Sequence, residues 1–79
     1  MLLTGNQLKA ARALAGISQT QLAAAAGVSV WTISSMEGKG ADTLGSGLDT
    51  IRAVMSALEA GGVELTNHGQ PGVRLKARD

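Results

Sequence analysis

The chain has 79 residues and a formal net charge of +1, with one histidine, one tryptophan and no cysteine, phenylalanine or tyrosine. This length corresponds to one small domain, and the cysteine count excludes disulfides and thiolate metal sites. We find no basic region followed by an apolar run at the N-terminus, and no segment with the roughly 18 apolar residues of a membrane span. We therefore expect a soluble cytoplasmic protein without a signal peptide, a metal or a cofactor.

Two helices with clear start and stop signals are predicted first. The sequence TGNQ, beginning at Thr4, is a possible capping box, and Gly16 ends the helix that it starts. The sequence SQTQ, beginning at Ser18, is a second box, and Gly27 ends the second helix. Apolar residues three and four positions apart line one face of each helix: Leu8, Ala11 and Ala15 in the first, and Leu22, Ala23 and Ala26 in the second.

A third helix follows after only three residues, GVS, and Ser29 is its predicted cap. Such a short joint with a glycine is typical of a helix-turn-helix motif. At about 100° per residue, Ile33 and Met36 define the core side, and Trp31 lies opposite them. We expect Trp31 to point outward, on a face otherwise made of small hydroxyl side chains, which is a shape that a DNA major groove admits.

A glycine-rich connector, GKGADTLGSG, precedes the fourth predicted helix. Ser46 together with Asp49 offers a cap for this helix, and an acidic residue suits the dipole of the first turn. The predicted apolar side consists of Leu48, Ile51, Val54, Met55 and Leu58, and Gly61 and Gly62 end the helix.

The last segment changes to the alternating pattern of a β-hairpin. VELT and VRLK alternate apolar and polar residues around the turn NHGQPG, in which we interpret His68 as a solvated residue. An isolated two-stranded hairpin is marginal in water, and its open edge can pair with another chain. We favour residues 63–79 as a dimerisation element; the alternative is a hairpin that packs only on its own domain. The apolar face assigned to dimerisation comprises Val63, Leu65, Val73 and Leu75.

The segment GISQTQLAAAAGVSVWTISSMEGKG resembles the helix-turn-helix domains of the Xre and phage-repressor (lambda-repressor) family. The matching features are Gln19, Leu22, Ala23, Gly27, Val28, Ile33, Met36 and Glu37. The resemblance covers roughly residues 4–60. It implies a mainly α fold with a four- to five-helix DNA-binding domain over residues 1–62, to which the hairpin is added.

The resemblance also implies roles for individual residues. Gln19 matches a phosphate-contacting glutamine, and Arg12 and Glu37 match a buried ion pair, which is also the economical way to place two charges at the margin of an apolar face. Lys39, in the loop GKG, is interpreted either as a phosphate contact or as a solvated lysine. The positions that match DNA-facing ones on the third helix are Ser29, Val30, Trp31, Thr32 and Ser35.

These features predict a sequence-specific DNA-binding regulator, a repressor or autorepressor that binds an inverted repeat as a homodimer. The alternative is a DNA-binding antitoxin or a protein-interaction module on the same scaffold. An enzyme is not expected, since no Ser–His–acid order, paired acids or cofactor loop are present. A net charge of +1 is low for a nucleic-acid binder, so its few cations must be well placed. Family members often carry Gln, Arg or Asn where this chain presents Val, Trp, Thr and Ser.

Overall fold

The computed structural model describes residues 2, 4–66 and 69–76; His68 and Arg78 lie outside this part of the chain. It confirms a mainly α fold followed by an antiparallel two-stranded hairpin. The elements are α1 (Gly5–Ala15), α2 (Gln19–Ala26), α3 (Val30–Glu37), α4 (Leu48–Ala60), β1 (Val63–Thr66) and β2 (Gly72–Leu75). Within the described residues, no helix is both long and apolar enough to cross a membrane.

Side chains cap the first three helices as predicted. Thr4 accepts a hydrogen bond from the backbone N–H of Gln7, and Ser18 and Gln21 form a complete capping box. Gly16 and Gly27, with φ of 70° and 72°, end α1 and α2 in the left-handed conformation that glycine adopts most easily.

The predicted cap of α4 is wrong. This helix begins one residue later than Ser46 would require, so Gly47 is the N-cap and provides no side-chain hydrogen bond. Asp49 does lie in the first turn, where its charge favours the helix dipole. Leu48, the first residue of α4, is also not part of the buried apolar face, since its side chain is exposed.

The core is aliphatic and draws on every element except β2. Residues outside the helices contribute as well, because Leu2 and Leu44 are buried against the helical core. The remaining core residues are Leu8, Ala11, Leu22, Ala23, Ile33, Met36, Ile51, Val54, Leu58 and Val63. The connector before α4 is therefore anchored by an apolar side chain, which its glycine-rich composition did not suggest.

The start of α1 lies directly against the end of α3. The backbone N–H of Asn6 donates to Gly40 O at 2.8 Å. A Cβ atom at Gly5 would lie 2.5 Å from Met36 O and 2.8 Å from both Glu37 O and Gly40 N. Only glycine fits at this position without a shift of the backbone, so Gly5 sets the distance between the two helices.

The hairpin packs on its own domain. β1 lies against α1 and α4, and β2 lies against α1. Val63 is completely buried, and Leu65 and Val73 pack against the core. These three side chains of the expected dimer face thus cover helices of their own chain, whereas Leu75 remains 56% exposed.

Polar contacts hold the hairpin in place. The side-chain amide of Gln7, which is itself buried, donates to Gly72 O at 3.0 Å and to Thr66 O at 3.4 Å, and so joins α1 to both strands. Glu64 lies opposite Arg74 in the ladder and accepts a hydrogen bond from it. This contact lowers the pKa of Glu64 below its ordinary value, but both side chains are in water and the pair contributes little to stability.

Candidate nucleic-acid interface

A tight turn sets the angle between α2 and α3. Gly27 adopts a left-handed conformation, and the backbone N–H of Val28 then donates back to Ala23 O at 3.0 Å. Ser29 starts α3 immediately afterwards by accepting a hydrogen bond from the N–H of Thr32. Because Ala23 is small and buried, α3 can pack closely across α2.

The outward face of α3 is apolar at its first turn. Ile33 and Met36 are buried, and Trp31 is 76% exposed, as the helical phase predicts. Val30 beside it is 41% exposed. Trp31 is the most exposed of the large apolar side chains in the described part of the chain. A side chain of this size in water keeps a large apolar surface that a partner can cover.

Two hydroxyl groups on the same turn hydrogen-bond to each other. Ser29 Oγ lies 2.9 Å from Thr32 Oγ1 and also accepts from the backbone N–H of Thr32 at 3.1 Å. Both side chains thus serve the helix start. Ser35, one turn further along, is exposed.

A polar cluster joins α1, α2 and α3 at the edge of this face. Arg12 and Glu37 form an ion pair through two hydrogen bonds, from Nε to Oε2 at 2.8 Å and from Nη2 to Oε1 at 3.2 Å. Arg12 Nη1 also donates to Ile17 O at 3.1 Å, which holds the turn between α1 and α2. Only 6% of the Glu37 side chain and 21% of the Arg12 side chain are exposed. The hydrogen bond to Glu37 raises the pKa of Arg12 above its ordinary value.

Gln19 belongs to the same cluster. Its Nε2 donates to Glu37 Oε1 at 3.1 Å, which orients the amide at the N-terminus of α2. An amide nitrogen carries two N–H donors, so the contact with Glu37 leaves a second one. The half-buried Gln19 can thus act as a structural link and still donate to a ligand at the helix start.

Lys39 and Ser35 line a shallow groove between α3 and the connector. Met36, Gly45 and Ser46 complete its lining. Lys39 itself is exposed, and its backbone is held by a hydrogen bond from its N–H to Met36 O at 3.2 Å. The groove places an ammonium group just beyond the end of α3.

The candidate interface is almost uncharged. Between Gly16 and Gly38 the sequence contains no lysine or arginine, and its one acidic residue, Glu37, is paired with Arg12. This face therefore offers a partner an apolar first turn, neutral hydroxyl groups and a lysine at its margin.

The sequence comparison agrees with this geometry. Residues 8–37, which run from the first turn of α1 to the end of α3, match the family model described as Helix-turn-helix. Residues 8–37 thus form a helix-turn-helix similar to those of the Xre and phage-repressor family. This family consists of DNA-binding transcription regulators. No curated protein matches the chain.

Two residues that support the helix-turn-helix were not singled out as such from the sequence. Gly5 permits the close approach of α1 and α3, and Gln7 ties the hairpin to α1. A glycine directly after the N-cap Thr4 is the one local sign, because a better helix former is expected there. Among the described residues, no group of three or more His, Cys, Asp or Glu side chains is placed to hold a metal.

Proposed function

We propose that the protein is a sequence-specific transcription regulator that represses promoters by occupying an inverted-repeat operator as a dimer. The observation that carries this proposal is the outward face of α3, where Trp31 and Val30 stand exposed on a helix that the turn at Gly27 projects from the domain. A major groove accommodates such a helix, and an aromatic side chain on it loses contact with water when DNA is bound.

Phosphate contacts would position the domain on the DNA. The N-terminus of α2 presents backbone N–H groups to an anion, and Gln19 holds its amide beside them through Glu37. Lys39, which follows the C-terminal end of α3 and lines the groove beside it, would contact a second phosphate. Such contacts fix the orientation of a protein on DNA, whereas the base edges provide the sequence information.

The outer edge of β2 is the proposed dimer contact. The N–H of Lys76 donates to Gly62 O, so the alternation of an antiparallel ladder turns the backbone groups of Val73 and Leu75 away from β1. Within the described residues, no third strand lies beside this edge. A second copy of β2, related by a two-fold axis, would pair with it and cover the exposed Leu75.

A symmetric dimer would place two α3 helices in successive major grooves, about 34 Å apart, on two half-sites in opposite orientation. The number, orientation and spacing of the half-sites in the operator therefore test whether the protein binds as a dimer.

Selection of bound duplexes from a random DNA library, with the full-length protein, tests the proposal. We expect an inverted repeat whose half-site centres lie about one helical turn apart, 10–10.5 base pairs. A selected pool without any common sequence would refute sequence-specific binding, and a single half-site would refute the dimer.

Replacement of Trp31 by alanine tests the role of α3. We expect at least a tenfold loss of operator affinity with little change in the melting temperature, since Trp31 lies mostly in water. Leu14→Ala on α1 removes another exposed apolar side chain and is expected to leave the affinity unchanged. Unchanged affinity of the Trp31→Ala variant in a gel-shift titration would remove Trp31 from the DNA interface.

A further inference from the structure

The hydroxyls at the start of α3 are poorly suited to reading bases. Discrimination between base pairs rests mostly on hydrogen bonds that amide and guanidinium groups donate or that carboxylates accept. Ser29 and Thr32 already bond to each other and to the first turn of the helix. If either hydroxyl turned toward a base, it would lose its hydrogen bond with the other hydroxyl.

The remaining polar side chains of α3 are no better suited to distinguishing one base pair from another. Glu37, the one residue of this helix with a carboxylate, accepts hydrogen bonds from Arg12 and Gln19 and is buried. Ser34 and Ser35 are exposed and carry single hydroxyls, which serve almost any base as donor or acceptor. No amide or guanidinium group occurs on α3.

The apolar side chains are therefore the groups on this face that can prefer one base over another. In the major groove, each base pair presents its own set of donors and acceptors, and the 5-methyl group of thymine is the apolar feature among them. We propose that α3 selects its operator through thymine 5-methyl groups, with Trp31 as the main contact and Val30 beside it. The inference rests on the proposed DNA-binding function and names the group that is read.

The exposed area of these side chains sets how much free energy a contact with a methyl group can contribute. Trp31 is 76% and Val30 41% exposed in the free protein, so both have apolar surface to lose to a ligand. A methyl group removed from water against such a surface contributes a factor of about four in affinity. An indole ring is wide enough to cover neighbouring methyl groups on one strand, so two such contacts would give about sixteenfold.

Deoxyuridine provides a direct test, because it removes the methyl group of thymine and keeps every hydrogen-bonding group of the base pair. The selected operator is synthesised with uracil in place of thymine at one position at a time, and affinity is measured by fluorescence anisotropy of labelled DNA. We expect a loss of about fourfold at one or two positions per half-site and none at the other thymines. Cytosine replaced by 5-methylcytosine outside these positions serves as the control and should not change the affinity.

Protein variants assign the effect to the side chain. The Trp31→Ala variant, measured at low salt so that binding remains detectable, should bind the thymine and uracil operators equally. The Ser35→Ala variant alters the same exposed face without touching the apolar turn and should retain the full preference for thymine.

The outcomes separate this inference from the function on which it rests. Specific binding of a selected operator with no difference between thymine and uracil at any position would overturn the methyl readout and leave the DNA-binding function intact. A preference for thymine that persists in the Trp31→Ala variant would overturn the assignment to Trp31. A library selection without a common sequence would refute both proposals.

Discussion

Glu37, the last residue of α3, has side-chain contacts with two other helices. Its carboxylate accepts hydrogen bonds from Arg12 of α1 and from Gln19 of α2. A buried carboxylate of this kind needs partners, since an unpaired charge in the interior is costly. The same carboxylate orients Gln19 beside the proposed DNA surface, so Glu37 serves both the ion pair and the placement of the proposed phosphate donor.

Replacement of Glu37 by glutamine is expected to lower the free energy of unfolding by about 2 kcal/mol, because it leaves the Arg12 guanidinium without its carboxylate. The loss is placed below the range for fully buried pairs because Arg12 reaches water at one side. Urea unfolding followed by circular dichroism measures it. The double variant Arg12→Met with Glu37→Leu should recover part of the loss, and a double variant less stable than Glu37→Gln would contradict the role of the unpaired charge.

Gly5 makes a second prediction at the scale of one residue. Replacement by alanine should destabilise the protein by about 1–3 kcal/mol, because the added methyl group meets backbone atoms that have no room to move. Gly45→Ala is the matched control: an added Cβ there has nothing within 4 Å, and its stability should stay within about 0.5 kcal/mol of the original. Equal thermal unfolding of the two variants would show that α1 and α3 are not tightly apposed at Gly5.

The hairpin, at the scale of elements, has two surfaces with different roles. One face closes the core with Val63, and Gln7 fastens both strands to α1. The outer edge of β2, with the exposed Leu75, is where we propose that a second copy pairs. Deletion of residues 63–79 is therefore a poor test of dimerisation, because it would uncover the core as well as remove the edge.

Replacement of Leu75 by lysine tests the edge alone. An exposed apolar contact is lost and a charge is placed where two β2 strands would meet, so we expect a monomer in sedimentation equilibrium and at least a tenfold weaker binding to a two-half-site operator. The melting temperature of the monomer should hardly change. Leu14→Lys introduces the same charge at another exposed leucine and should remain dimeric. A dimeric Leu75→Lys variant would contradict pairing through β2.

The whole molecule is nearly neutral, and this bears on how it would hold DNA. With Lys39 as the lysine or arginine closest to α3 in the sequence, a dimer neutralises few phosphates. Each neutralised phosphate contributes about −0.9 to the slope of log K against log salt concentration. Most of the affinity would then come from contacts that salt screens weakly, such as apolar contact in the groove.

A shallow salt dependence is the corresponding prediction. The logarithm of operator affinity plotted against the logarithm of salt concentration should have a slope of about −2 to −4 for the dimer. Replacement of Lys39 by methionine should reduce the magnitude of this slope by about 2, one unit from each protomer. A slope steeper than about −6 would mean that additional cations, outside the helix-turn-helix, reach the phosphates.

Local signals in the sequence determined the helices, their caps at Thr4, Ser18 and Ser29, and the outward phase of Trp31. These features depend on residues within one or two turns of each other, where hydrogen-bond and side-chain geometry follows directly from spacing. The pattern failed at Ser46, because a glycine-rich connector offers several equivalent starts for the next helix.

Only the tertiary structure decided what lies between elements distant in sequence. Local sequence patterns do not predict contacts between residues that are far apart in the chain. Four such contacts appear only in the structure: the burial of Leu44, the approach of Gly5 to α3, the hydrogen bond from Gln7 to the hairpin and the one from Gln19 to Glu37. The hairpin shows the reason most clearly. Alternation predicted which side chains share a face, but whether that face meets the same chain or another depends on packing. Here α1 and α4 cover it except at Leu75.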